Sequence, residues 1–325
     1  MSVIIYANEV SEMVYTLSFC PSLNYTASLD EISVGTDNSI SSGELDVSGS
    51  GAVIARIIRE LDVQVTALGF AAGFSGGEIE TILRGRSINT DFVYLQKGLS
   101  PIKIVMEHGE KLRDATRFTA PPLKISYEEL MSLFSRLERL TDDDLLVISG
   151  DVPPSVPSDV YSHIPDCFAG KNVRMALDIP AGLLAKCLPF RPFLVVTDRK
   201  RLEEIFGEPV RTEEEVITYI THLQEMGAQN VLVYPDEDGT VILLDSNKNI
   251  LKQQIAERVQ FNENALNALV AGFVTGCVDR DVDNEYSLML AASAARAATL
   301  QRKLPAKPTI IYIMMETMKQ QTINS

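Results

Sequence analysis

Short apolar runs bounded by glycine, proline or polar clusters alternate along the chain with longer segments whose apolar residues recur at helical spacing. Met13 to Phe19, Val63 to Phe70, Asp144 to Ser149, Val173 to Leu177, Phe193 to Val195 and Asn230 to Val233 have the composition of buried strands. Ala52 to Leu61 carries Val53, Ile54, Ile57, Ile58 and Leu61 on one helical face. Tyr127 to Leu140, a short piece near Gly182 to Cys187, Arg211 to Met226 and Tyr286 to Leu300 also read as helices. This βαβ alternation predicts a parallel sheet with right-handed crossovers. Val241 to Leu244 and Ile250 to Gln254 form a hairpin pattern, and Ile102 to Met106 and Thr116 to Phe118 are shorter strands set apart from the alternation.

The stretch from Val259 to Gly276 stands out. A polar entry containing Asn262, Glu263 and Asn264 leads into a long helix of apolar and small residues. Asn262 or Asn264 can cap it by accepting a bond from a free first-turn N–H. Such a helix start, with its partial positive charge, suits an anion.

Composition narrows the class. A chain of 325 residues accommodates one large α/β domain or two smaller ones. The formal net charge of −15 argues against nucleic-acid and anionic-membrane partners but leaves anionic metabolites open. Cys20, Cys167, Cys187 and Cys277 show no CxxC spacing and read as reduced thiols; His108, His163 and His222 form no metal-ligand spacing. With no signal-peptide pattern and no apolar run of about 18 residues, the expected location is the cytoplasm. Residues 1–11 give no decisive pattern.

Three segments carry a specific resemblance. Gly150-Asp151-Val152-Pro153-Pro154-Ser155-Val156-Pro157, the block from Val65-Thr66-Ala67-Leu68-Gly69-Phe70 to Asn89-Thr90-Asp91-Phe92-Val93, and Ala268 to Gly276 (ALVAGFVTG) recur in order at family spacing. Over about residues 13–317 the chain resembles the PfkB (ribokinase-like) carbohydrate kinases, above all the tagatose-6-phosphate kinase and 1-phosphofructokinase branch. The resemblance implies a single domain over 1–325, a ribokinase-like three-layer α/β/α sandwich with a mainly parallel central sheet. A small β-sheet lid would draw its strands from about 25–47 and 92–121. It also implies ATP and Mg²⁺ as cofactors, a sugar or sugar phosphate as ligand, and either a homodimer through the lid or a heteromer with an active homologue.

The resemblance also places the site, position by position. The family's GAGD entry to the focal helix, which holds the transferring phosphate and supplies the base, falls on Asn264, Ala265, Leu266 and Asn267. An amide cannot take a proton, and losing a general base typically costs about 10²- to 10⁴-fold. The sugar-gripping Asp of NPALD corresponds to Asn24. GGKG corresponds to Gly49, Ser50 and Gly51, with Ser50 for the Lys, and Leu99 stands where an Arg contacts substrate. In the metal-organising KPNxxE motif, Asp198 remains as a candidate metal ligand while Arg201 replaces the Glu. The phosphate-side SxGxxG loop becomes Tyr234 to Gly239, where Asp236, Glu237 and Asp238 would repel ATP phosphates or, alternatively, hold a cation. Glu263 is the one candidate for a displaced base.

These departures fall together on one reaction's components. They suggest a family member that is catalytically impaired or inactive and works by binding a metabolite or partner. The alternative is an active ATP-dependent kinase of a ketohexose phosphate with a remodelled site. A third reading is a different, metal-using enzyme built on Asp198 and the acidic loop.

Overall fold

A computed structural model describes residues 13–109, 114–235, 238–255, 262–278, 283–300 and 303–324. Residues 1–11, the lead-in from Val259 to Phe261, Asp236 and Glu237 lie outside the described residues.

The apolar runs become strands of a nine-stranded sheet. Its core is parallel: β5 (Asn89–Leu95), β4 (Val65–Ala72), β1 (Val14–Ser18), β8 (Leu145–Ser149), β9 (Arg174–Asp178), β10 (Leu194–Thr197) and β11 (Asn230–Val233) lie side by side in that order. The hairpin of β12 (Thr240–Leu244) and β13 (Ile250–Gln254) extends the β11 edge in antiparallel fashion. Alternate residues feed two apolar layers: Leu145 and Val147 face one, Leu146 and Ile148 the other. Both faces are buried, which is why LLVIS reads as an unbroken apolar run.

One layer holds α1 (Ser50–Glu60), α2 (Gly73–Gly85), α8 (Glu263–Gly276), α9 (Asn284–Thr299) and α10 (Lys307–Asn324). The other holds α3 (Tyr127–Leu137), α4 (Val160–His163), α5 (Ala181–Cys187), α6 (Arg199–Phe206) and α7 (Glu213–Glu225). The three-layer sandwich expected from the sequence is the architecture observed. The sequence pattern misses α6, whose first turn is all basic, and α10, which runs through the polar stretch from Met318 to Asn324.

A second sheet orders β3 (Ser42–Ser48), β2 (Ser22–Ser28), β6 (Ile102–His108) and β7 (Asp114–Thr119). Its second segment begins at Ile102 rather than near residue 92, because Asn89–Leu95 pairs with β4 in the main sheet. Register and alternation give this sheet two distinct faces. Asn24 sits opposite Asp46 and Lys103 on a polar face, while Tyr25 aligns with Leu45 and Ile104, and Ile104 with Phe118, on an apolar one. Leu45 and Phe118 are exposed. A largely buried Arg56 of α1 anchors β3 by an ion pair to Asp46 at 2.8 Å.

Candidate functional site

Ligands in open α/β sheets bind beyond the carboxyl ends of the strands. Here α8 lies over that edge. Arg174 at the start of β9 donates through Nη1 to the carbonyl of Cys277, the C-cap of α8, at 2.7 Å. This bond fixes the helix's far end at the foot of β9, so its first turn lies toward the strands' carboxyl ends. Packing on α9 is close enough that a Cβ on Gly272 would come within 2.7 Å of the Ala291 Cα.

The first turn of α8 differs from a glycine-built anion hole. Asn262 is the N-cap, and its side chain accepts from the Ala265 N–H at 2.9 Å. The Leu266 N–H donates to the Asn262 carbonyl at 3.1 Å. Asn264, Ala265 and Leu266, expected to form the hole, are therefore helix residues, and the amides of Glu263 and Asn264, at the first two helix positions, have no intrahelical acceptor. Leu266 is half-buried against the core and Glu263 is exposed in the first turn. Asn267, at the position of the base, is 2% exposed, and its Nδ2 has no partner among the described residues. Ser149, the last residue of β8, is fully buried on the side that α8 covers, and its Oγ also has no partner.

Three neighbouring strand ends carry a closed polar network. Arg201, on the first turn of α6, donates through Nη1 to Asp178 Oδ1 at 2.7 Å; Tyr234 donates its hydroxyl to Asp178 Oδ2 at 2.8 Å. The guanidinium lies 5.7 Å from the Tyr234 ring centre, and its Nε is 3.5 Å from Asp198 Oδ2. Burial opposes charge on Arg201, but Asp178, together with Tyr234 and Asp198, outweighs it and raises the guanidinium pKa. Burial, and then Asp178, push the Tyr234 phenol well above its usual range.

This network corrects the expectation for Asp198. Its Oδ1 caps α6 by accepting the Arg201 N–H at 2.8 Å, so it is a helix cap paired with Arg201. Arg201 is shared between Asp178 and Asp198, whose remaining oxygens accept from Tyr234 and the α6 backbone, so the carboxylate oxygens present are already engaged and do not fit a protein-held Mg²⁺. Among the described residues no cluster of three or more His, Cys, Asp or Glu side chains could hold a metal. Asp236 and Glu237 lie outside the described residues. Gly239 is buried at φ +75°, and its carbonyl accepts from Ile255, a turn position that favours glycine for conformational reasons.

On the lid side, Asn24 donates to Thr26 Oγ1 at 3.1 Å. Gly51 is demanded by packing: a Cβ there would meet Ser18 Cβ at 2.7 Å, where α1 crosses the end of β1. Gly49 has φ +99° and leaves Ser50 as the first residue of α1. Leu99 is half exposed and lies over Gly73. Asp178 and Ser149 were not among the predicted site residues. The signal available for Asp178 was an acidic residue closing an apolar strand just before Ile179-Pro180; an ordinary strand-end serine gives none.

Comparison with known proteins is consistent over most of the chain. Residues 22–304 match the family model for pfkB family carbohydrate kinases, and the chain belongs to that family. It is 28% identical over 307 residues to a 1-phosphofructokinase of Bacillus subtilis, covering 94% of this chain and 98% of that enzyme. It is 28% identical over 263 residues to a D-tagatose-1-phosphate kinase of Bacillus licheniformis, covering 81% and 84%. Its fold matches Escherichia coli phosphofructokinase-2, solved with fructose-6-phosphate, at a TM-score of 0.84 and 21% identity, covering 94% of this chain and 99% of that one. Among the described residues no helix is long and apolar enough to cross a membrane.

Proposed function

We propose that this chain is an ATP-dependent phosphotransferase acting on a ketohexose phosphate through a remodelled transfer site. The observation that carries the reading is the near end-to-end match to a 1-phosphofructokinase, with the lid sheet and α8 both retained. Every relative reported above is named as a kinase, and that favours transfer over the impaired reading. Phosphoryl transfer depends mostly on positioning and charge stabilisation, so an amide in place of a base slows it without abolishing it. Any Mg²⁺ would be held by the nucleotide rather than by this chain's carboxylates. The exposed apolar lid face, with Leu45 and Phe118, supports a homodimer in which a second copy covers it.

A specific observation favours a second reading, in which the chain binds ligand without turnover. Asn267 offers no base, Leu266 packs against the core where the family has a glycine, and Arg201 is committed to Asp178. The test is phosphorylated product formed from Mg-ATP with fructose 1-phosphate, tagatose 1-phosphate and fructose 6-phosphate, measured beside Asn267→Asp. Turnover that rises about 10²-fold or more in the variant supports the transferase. Product absent in both, with a melting shift on sugar phosphate alone, establishes the binding protein.

A further inference from the structure

A cleft lies at the amino ends of β10 and β11, the opposite end of those strands from the Asp178 network. Its walls come from three segments: the lead-in to β10 at Arg191, the end of α7 with the loop to β11, and the β12–β13 turn from Ser246 to Lys248. They meet because β10 runs parallel to β11 and β12 antiparallel to it, which aligns Leu194 with Asn230 and Val231 with Leu244. Hydrogen bonds tie the walls together. Gln229 Nε2 donates to the Arg191 carbonyl at 2.9 Å, Gln224 Nε2 to the Asp245 carbonyl at 2.7 Å, and the Ser246 N–H to Asn230 Oδ1 at 3.0 Å. The cleft measures about 490 Å³, within the range of small-molecule sites.

Its charge runs against that of the chain. In a protein of formal net charge −15, two cations line the cleft, Arg191 and Lys248, against one carboxylate, Glu225. Neither cationic side chain has an ion-pair or hydrogen-bond partner among the described residues. The backbone also works against both. Arg191 has φ +54° and Lys248 φ +67°, in the left-handed region that long side chains rarely adopt. Among the described residues the other non-glycine positions in that region, Asp62, Ser87 and Asp143, are short and polar. Glycine or asparagine would hold either turn with less strain, so backbone conformation does not account for the cations.

The lining sets the class of ligand. Two unpaired cations suit a phosphate, which an arginine grips bidentately and a lysine meets as a point charge. The carbonyls of His222, Leu223 and Gln224 accept from Met226, Ala228 and Gly227, which blunts the negative end of α7. Glu225 keeps its carboxylate, and Gln224, with its Nε2 committed, keeps its oxygen; both are acceptors suited to hydroxyl groups.

We propose that this cleft is a second ligand site, separate from the transfer corner, for a hydroxyl-bearing phosphate monoester of the sugar phosphate or nucleoside monophosphate kind. Arg191 and Lys248 take the phosphate, and Glu225 and Gln224 accept from the hydroxyls. The site stands whether or not the chain transfers phosphate.

The test is peptide-level hydrogen exchange on the full chain without ATP, using fructose 6-phosphate, AMP and inorganic phosphate as separate probes. At least one ester should slow exchange in peptides covering 188–192 and 245–249, independently of any protection around α8. Arg191→Asn combined with Lys248→Asn should leave melting of the free protein unchanged or raised, because asparagine suits left-handed turns, yet weaken this binding at least about tenfold. Lys248→Arg should retain it. A purely structural role for the cations would instead lower melting in the double variant. If the double variant does not fold, Lys248→Glu, a charge reversal on an exposed turn, decides by the same loss of binding. Protection by only one of the two esters supports the site and names its ligand. No protection of these segments by any probe, or protection unchanged in a folded variant, overturns the proposal. Inorganic phosphate binding as tightly as both esters marks an adventitious ion only and overturns it as well.

Discussion

Arg201→Met tests whether the network at the ends of β9, β10 and β11 is a structural substitute for the metal corner. Asp178 is 6% exposed and takes a 2.7 Å bond from Arg201, whose own side chain is 25% exposed. Removing one partner of a fully buried pair costs about 3–5 kcal/mol, because the other charge is left uncompensated. Solvent reaches the Arg201 side, so the expected loss is smaller, about 2–3 kcal/mol. An unfolding entropy of about 2 cal/mol/K per residue converts this to a melting point lower by about 3–4 °C for a chain of this length. Asp178→Asn in the same background should recover most of the loss, since the amide oxygen can still accept from Tyr234. The assay is a double-mutant cycle by chemical denaturation. If Arg201→Met costs the same in the Asp178→Asn background as in the wild type, the two side chains are not coupled and the argument against a protein-held metal fails.

Gly272→Ala should lower the denaturation midpoint by the equivalent of about 1–3 kcal/mol with no change in slope. Its Cβ would sit 2.7 Å from Ala291 Cα and 2.9 Å from the Leu290 carbonyl, and backbone on α9 cannot move aside cheaply. An unchanged midpoint would mean that the two helices pack less tightly than described. Tyr94 offers a pH test: burial and its hydrogen bond to Glu80 push the phenol up to about 12. A raised folded pKa contributes stability that is present below the unfolded value of about 10 and lost as pH rises through about 12. The stability of the wild type relative to Tyr94→Phe should therefore fall between about pH 9 and 12, and a constant difference would refute the coupling.

The sheet was legible because its strands are buried on both faces and read as apolar runs. Helix α6 was not, since Arg199-Lys200-Arg201 gives it a charged start, and the Asp198 cap before it looks the same in sequence as a strand-end metal ligand. Counting back from Val270-Ala271-Gly272-Phe273 puts Asn267 at the family's base position by resemblance, and the fold places it in the buried part of α8. The state of the site was not legible. Arg201 could be seen to replace a glutamate, but its partner lies 23 residues earlier at the end of another strand, and only the fold brings the two together. Unpaired hydroxyls such as Ser149 leave no trace in a sequence at all, because what distinguishes them is a missing partner in three dimensions.

On the proposed transferase reading, the two departures from the family's site at 267 and 201 act in the same electrostatic direction. Placing Asn at 267 removes a negative charge at the start of α8, and placing Arg at 201 replaces another with a positive one that Asp178 then holds. A kinase needs negative groups there for two purposes, to accept the hydroxyl proton and to organise the metal, and each also pushes the new phosphoryl group away after transfer. Without them the forward step loses its base while the phosphorylated ligand loses its repulsion. On that reading slower transfer and firmer retention of phosphate would be one physical change seen from two sides. The transferase and binding-protein readings thus differ in where this balance falls, and the scaffold that positions the ligand is common to both.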